Sequence, residues 1–76
     1  MIMTSEQKRK YNIFTVQLAE LLTVIRDERT EVKYFVKENG TEVVDVIDKH
    51  GAEIAHMDVT SMQLISAVNA IMVMLK

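Results

Sequence analysis

The sequence contains no cysteine, so the chain can form neither a disulfide bond nor a zinc site with cysteine ligands. Its two histidines are too few for a histidine-rich metal site. These absences matter because the core of so small a domain supplies only about 3 to 5 kcal/mol of stability, and such domains commonly rely on disulfides, metals or oligomerisation for the rest. We therefore expect the chain to self-associate.

Proline is also absent, and the two glycines are isolated from each other. With no linker composition and no repeat, residues 1–76 are expected to form a single domain. Isolated glycines cannot form a phosphate-binding loop, and no motif of a nucleophilic enzyme is present. We therefore expect a protein that is not an enzyme and has no cofactor. The N-terminus lacks the apolar segment of a signal peptide, which favours a cytoplasmic protein.

Positive charge is scarce relative to negative charge, and the formal net charge is −2. Hydrophobic residues make up 49% of the chain and charged residues 26%, a balance typical of a globular domain. The chain has no overall positive charge to attract a phosphate backbone, so nucleic-acid binding would need a local basic patch.

The first predicted helix begins with the segment TSEQ, in which Thr4 and Gln7 have the spacing of a capping box. Apolar residues then recur at intervals of three and four, which predicts a buried stripe of Tyr11, Phe14, Leu18, Leu21, Leu22 and Ile25. Further apolar residues lie off this stripe, at Ile13, Val16 and Val24. The helix is expected to end near Arg29 and to be apolar around more of its circumference than one small sheet covers.

Residues 34–58 alternate apolar and polar side chains around Asn39-Gly40 and around Gly51, which predicts a three-stranded antiparallel meander. Asn-Gly favours a two-residue type I′ turn, which would pair Lys37 with Glu42. One face would then carry Val32, Tyr34, Val36, Val43, Asp45 and Ile47, and the other Lys33, Phe35, Lys37, Glu42, Val44 and Val46. The segment DKHG at 48–51 predicts a type I turn with a bulge, followed by a third strand over 52–57.

The last predicted helix has no charged residue and no histidine from Val59 to Leu75. Asp58 or Thr60 is expected to cap it, because Thr60 and Gln63 repeat the capping-box spacing. The run is too short and too polar at its start for a membrane span, so a helix buried on several sides is expected. We predict a symmetric homodimer through this helix, with the exposed sheet face as the alternative interface. The residues predicted to form the interface are Leu64, Val68, Ile71 and Leu75.

The predicted fold is α+β, in the order α-β-β-β-α, with the three-stranded meander packed against two helices. At the level of topology this order resembles the double-stranded-RNA-binding domain. That family contacts phosphates with a lysine cluster at the start of its last helix, whereas the segment DVTSMQL here contains Asp58 and no cation. The resemblance therefore implies an arrangement of elements and does not extend to RNA binding.

Lys8, Arg9 and Lys10 form a basic cluster near a helix N-terminus, where the helix dipole disfavours cations. A solvent-exposed helix face is the ordinary interpretation of such a run, and an anion contact is the functional one. Together with Lys33, the cluster carries the alternative hypothesis of a nucleic-acid-binding protein.

Four acidic residues lie on the predicted meander and its second turn, namely Asp45, Asp48, Glu53 and Asp58. With His50 and His56 they suggest a metal site, but they do not match the calcium-loop pattern, and turn or cross-strand roles are favoured. As a group they are predicted to contact basic residues of a partner protein.

These observations favour a small acidic interaction module that is homodimeric and that binds and modulates, or inhibits, another macromolecule. Its size, charge and architecture resemble the small inhibitors that phages make against host nucleases and defence complexes. Besides nucleic-acid binding, the sequence leaves open a small-molecule binder whose pocket forms between subunits.

Overall fold

The computed structural model describes residues 3–75. The chain begins with a long helix in three consecutive parts, namely α1 (Ser5–Asn12), a π-helical segment (Ile13–Leu18) and α2 (Ala19–Arg26). Strands β1 (Glu31–Val36), β2 (Glu42–Ile47) and β3 (Glu53–Asp58) form an antiparallel sheet in the order β1-β2-β3, and helix α3 (Leu64–Met74) follows. The predicted α+β fold is confirmed.

The long helix starts as predicted. Thr4 accepts a hydrogen bond from the Gln7 backbone, and the Gln7 side chain accepts one from the Thr4 backbone, which completes a capping box. The helix ends at Arg26 because Asp27 adopts a left-handed conformation with φ of 54°. Amides of Asp27 and Glu28 then donate to the carbonyls of Val24 and Thr23, the pattern of a Schellman motif.

The buried side of the long helix differs from the predicted stripe. Phe14, Leu18 and Leu22 are buried at a constant spacing of four, whereas Tyr11, Leu21 and Ile25 are exposed. The prediction is therefore confirmed for Phe14, Leu18 and Leu22 and wrong for Tyr11, Leu21 and Ile25. Leu21 and Ile25 lie in the regular α-helical part, α2, so the π-helical segment changes their direction relative to Tyr11 but not relative to Leu22.

The register of the first hairpin is shifted by one residue from the prediction. Val36 pairs with Glu42 and Tyr34 with Val44, because Lys37 and Thr41 close a three-residue loop instead of a two-residue one. Only Gly40 in this loop has positive φ, at 88°, so Asn39 does not adopt the conformation that a type I′ turn requires. The shift reverses the faces of β2.

The second hairpin has the predicted turn. The Gly51 amide donates to the Asp48 carbonyl and Gly51 has φ of 83°, as a type I turn followed by a bulge requires. A second bulge lies in the pairing of β2 with β3, between Val46 and Ile47.

Both helical elements pack on the same face of the sheet, the core face. The buried cluster draws on the long helix, all three strands and α3, and consists of Phe14, Leu18, Leu22, Val32, Tyr34, Val44, Val46, Ala55, Val59, Ala67 and Ile71. The opposite side of the sheet, here called the outer face, includes Phe35, which is 48% exposed. Among residues 3–75, no helix packs on the outer face.

Helix α3 begins later than predicted, at Leu64, with Gln63 as an N-cap that lacks a side-chain hydrogen bond. Thr60 does not cap it, because its hydroxyl accepts from the Glu42 amide and donates to Asp58. Neither of the predicted caps is correct, since Asp58 instead fixes the turn that leads out of β3.

Candidate functional sites

A buried ionic network joins the long helix to the sheet. Nζ of Lys10 donates to Oε1 of Glu42 over 3.0 Å, and the Tyr34 hydroxyl donates to the same oxygen over 2.5 Å. Lys10 and Glu42 are only 5% and 6% exposed. The Tyr34 ring stacks on Phe14 with 5.7 Å between centroids, which holds the hydroxyl in place. Burial of Tyr34, together with its hydrogen bond to the carboxylate, raises the pKa of the phenol well above its ordinary value.

The backbone of Glu42 extends this network to the segment before α3. Its amide donates to the Thr60 hydroxyl, and its carbonyl accepts from the Val59 amide, both over 2.9 Å. A polar cleft of about 280 Å³ lies beside the network, between Thr4 and Gln7 on one side and residues 60–63 on the other. Glu42 therefore connects α1, β1 and the segment that precedes α3.

The predicted basic cluster is divided by this network. Lys8 and Arg9 are exposed, whereas Lys10 is buried and neutralised by Glu42. Lys10 is therefore not available to an anion in solution, and the predicted anion contact loses one of its three residues.

A second feature is an apolar groove between the long helix and α3, on the side away from the sheet. Its volume is about 160 Å³, and it is lined by Ile13, Gln17, Leu18, Leu21 and Val68. Exposed apolar side chains occur on both helices, including Leu21, Val24 and Ile25 on the long helix and Ile65 and Val73 on α3. We call this side of the molecule, with its groove, the helix-layer surface.

The predicted dimer residues do not all lie on the helix-layer surface. Leu64, Val68 and Leu75 are partly buried against the core, and Val68 lines the groove. Ile71 is 1% exposed and belongs to the core, so its placement in an interface was wrong. Sequence reasoning missed Leu21, because the predicted stripe assigned this residue to the core.

The third feature lies on the outer face, where Asp45, Glu53 and His56 meet. Asp45 and His56 are paired across β2 and β3, and the His56 Nδ1 atom contacts Oδ1 of Asp45. The same Nδ1 atom lies 3.6 Å from Oε1 of Glu53. Two of the four acidic residues predicted for partner binding are thus brought together, with a histidine between them.

The other two acidic residues have turn roles. Asp48 accepts from the amides of Ala52 and His50, which lowers the pKa of its carboxyl below the ordinary value. Asp58 accepts from the hydroxyl and the amide of Thr60, with the same effect on its pKa. Both side chains fix local backbone, as in Asx turns.

Sequence reasoning also missed Glu42 as a key residue. A glutamate at the start of a β-branched run looks like an ordinary exposed strand end, and the predicted register placed it on the face opposite Tyr34. Among the side chains of residues 3–75 that the structure describes, no buried nitrogen or oxygen lacks a hydrogen-bond partner. The partner of Glu42 was identifiable only from the tertiary arrangement.

Comparison of the chain with models of known protein families, with curated proteins and with solved structures found no match. Within residues 3–75, none of the helices combines the length and the apolar character needed to cross a membrane.

Proposed function

We propose that the chain is a non-catalytic interaction module that forms a homodimer through the helix-layer surface and binds a further macromolecule. The observation that carries the proposal is the apolar groove together with the exposed apolar side chains on both sides of it. Apolar side chains that cluster on one side of a small soluble domain are typical of a protein interface.

The distribution of charge favours a second copy of the chain as the partner that binds the helix-layer surface. The chain is net negative, so two copies repel each other except where they meet through uncharged surface. Helix α3 has no charged side chain, and the groove is lined by four apolar residues and one glutamine. A standard interface covers roughly 800 Å² on each partner, about a sixth of the 5024 Å² surface of this chain.

The outer face remains accessible in such a dimer, because it lies on the other side of the sheet from the helices. Its acidic residues Asp45 and Glu53 support binding to a basic surface of a partner protein, which is the arrangement that an inhibitor of a nucleic-acid-binding protein would need. The dimer would present two copies of this face.

The dimer is tested by charge substitution at two positions of equal exposure on opposite sides of the molecule. Leu21 on the helix-layer surface is 46% exposed, and Phe35 on the outer face is 48% exposed. We expect sedimentation equilibrium at micromolar concentration to show a dimer for the native chain and for Phe35→Glu, and a monomer for Leu21→Glu. Circular dichroism verifies that both variants are folded.

A monomeric native chain would overturn the dimer. If instead Phe35→Glu dissociates the dimer and Leu21→Glu does not, the interface is the outer face.

Binding to a basic partner is tested by affinity capture with the native chain and with Glu53→Lys, followed by measurement of the salt dependence for each captured protein. Equal affinity and equal salt dependence for both would contradict a role of the outer face.

A further inference from the structure

Three side chains on the outer face direct potential metal-binding atoms towards one point. The nearest such atoms of Asp45, Glu53 and His56 all lie within 4.8 Å of one another. A ring nitrogen and two carboxylate oxygens are the donors that zinc and related transition metals take in proteins, at about 2.0 to 2.2 Å from the ion. Ligand atoms that bind one such ion are separated from one another by distances similar to those found among these three residues.

The sheet geometry that brings them together is not that of a regular strand. Glu53 and His56 are three residues apart, so in a regular strand their side chains would lie on opposite faces. The bulge between Val46 and Ile47 adds a residue to one side of the β2–β3 pairing, and it brings Glu53 onto the same face as His56. Asp45 lies on the central strand directly opposite His56, where hydrogen bonds to β1 and β3 hold it.

We propose that Asp45, Glu53 and His56 form a binding site for a divalent transition-metal ion of the zinc class. A divalent ion placed between the two carboxylates and the ring nitrogen would form a ligand bond to each residue and balance the two negative charges. Three protein ligands leave a fourth position open to water or to a group on another molecule. The ordinary cross-strand role that the sequence favoured for these residues is compatible with the site, because the backbone pairing already places them.

The charges around the site set its strength. Lys33 is the cross-strand neighbour of Asp45 on β1 and opposes a cation, whereas Asp58, on the same strand as His56, favours one. Asp45 is the least exposed of the three ligands, and Glu53 and His56 are both more than half exposed, so the ion can enter directly from solvent.

The test uses zinc as the probe and compares the two histidines of the chain. Isothermal titration of the native chain with Zn²⁺ is expected to show saturable binding with one ion per chain. Replacing one ligand, as in His56→Gln or Glu53→Gln, is expected to weaken binding at least about tenfold, since even residues that only orient metal ligands contribute 10- to 100-fold. His50→Gln is the matched control, because His50 lies exposed in the second turn, and it should leave the affinity unchanged.

Nuclear magnetic resonance gives a readout independent of affinity. The imidazole signals of His56 should shift on addition of Zn²⁺ while those of His50 do not. Equal affinity of the native chain and His56→Gln, or equal shifts of both histidines, would overturn the site, as would the absence of saturable binding up to millimolar zinc. The result does not depend on the proposed dimer, because the site lies on the other side of the sheet and Leu21→Glu should bind zinc as the native chain does.

Discussion

Lys10 and Glu42 form the ion pair whose disruption should cost the most stability. Replacing Lys10 by Met leaves the Glu42 carboxylate buried with only the Tyr34 hydroxyl beside it, and removing one member of a buried pair costs about 3 kcal/mol or more. We expect urea denaturation of Lys10→Met to show a loss of this size. That loss is comparable to the whole stability of a domain this small.

The exposed pair Arg29 and Glu31 provides the control for that measurement. Its donor-acceptor distance is 3.2 Å, close to that of the buried pair, but its side chains are 80% and 51% exposed. Solvent and salt screen such a pair, so Arg29→Met should change the unfolding free energy by less than about 1 kcal/mol. Similar losses for Lys10→Met and Arg29→Met would show that burial does not set the energy of the Lys10 pair.

The double variant Lys10→Met with Glu42→Gln should recover part of the loss, because no charge then remains buried.

Tyr34 makes the stability of the fold sensitive to alkaline pH. The pKa of its phenol is raised in the folded state, first by burial and then by the Glu42 carboxylate, so the folded chain holds this proton more tightly than the unfolded chain does. The resulting stabilisation is complete below the ordinary pKa near 10 and is lost as pH rises above it.

The measurement is urea denaturation from pH 8 to 11 for the native chain and Tyr34→Phe. We expect the native chain to lose stability above pH 10 more steeply than Tyr34→Phe, which lacks the titrating group. Parallel curves for the two chains would contradict the assignment.

At the scale of elements, the end of the long helix offers a simple gain in stability. Asp27 holds a left-handed conformation with φ of 54°, which costs an L-amino acid about 1 kcal/mol and costs glycine little. Asp27 makes no side-chain hydrogen bond among those described for residues 3–75, so Asp27→Gly should stabilise the chain by about 0.5 to 1 kcal/mol. Thermal unfolding measures the change. Asp27→Ala is the control and should bring no such gain, because alanine carries the same Cβ as aspartate and meets the same strain at positive φ.

The elements themselves were predictable because their signals are local. The capping box at Thr4 and Gln7, the glycines of the two turns and the charge-free run before Leu75 each depend on neighbouring residues. The errors arose where a local pattern fits two structures. Asn39-Gly40 suits both a two-residue turn and a three-residue loop, and β2 has apolar residues on both faces, so its hydrophobic pattern did not fix the register.

The π-helical segment and the start of α3 were not predictable for a different reason. Nothing in residues 13–18 distinguishes a π-helical from an α-helical turn, and this segment is the main part of the long helix that packs on β1. Thr60 fits a capping box in sequence, but its hydroxyl is taken by the backbone of Glu42, which is distant along the chain. Such long-range competition leaves no local signal.

At the scale of the whole molecule, the fold separates two kinds of surface. The helix-layer surface is apolar and uncharged along α3, and the outer face carries Asp45, Glu53 and His56 as well as the exposed ring of Phe35. The sequence showed that both kinds of residue were present. It did not show that they lie on opposite sides, because the one-residue error in register mixed core and outer residues on each predicted face. This separation would allow the proposed self-association and the proposed binding of a second molecule to occur independently.

The three-residue loop of the first hairpin also bears on how this chain can evolve. Loss of a single codon within residues 38–40 would leave Lys37 paired with Thr41 around a two-residue turn, so Val44 and Val46 would still face the helices. Loss of the codon for Val43, inside β2, would instead move each later residue of the strand to the opposite face. Asp45 would then take the place of Val44, which is a buried core position. The hairpin should therefore accept a deletion in its loop and reject a deletion in its strand.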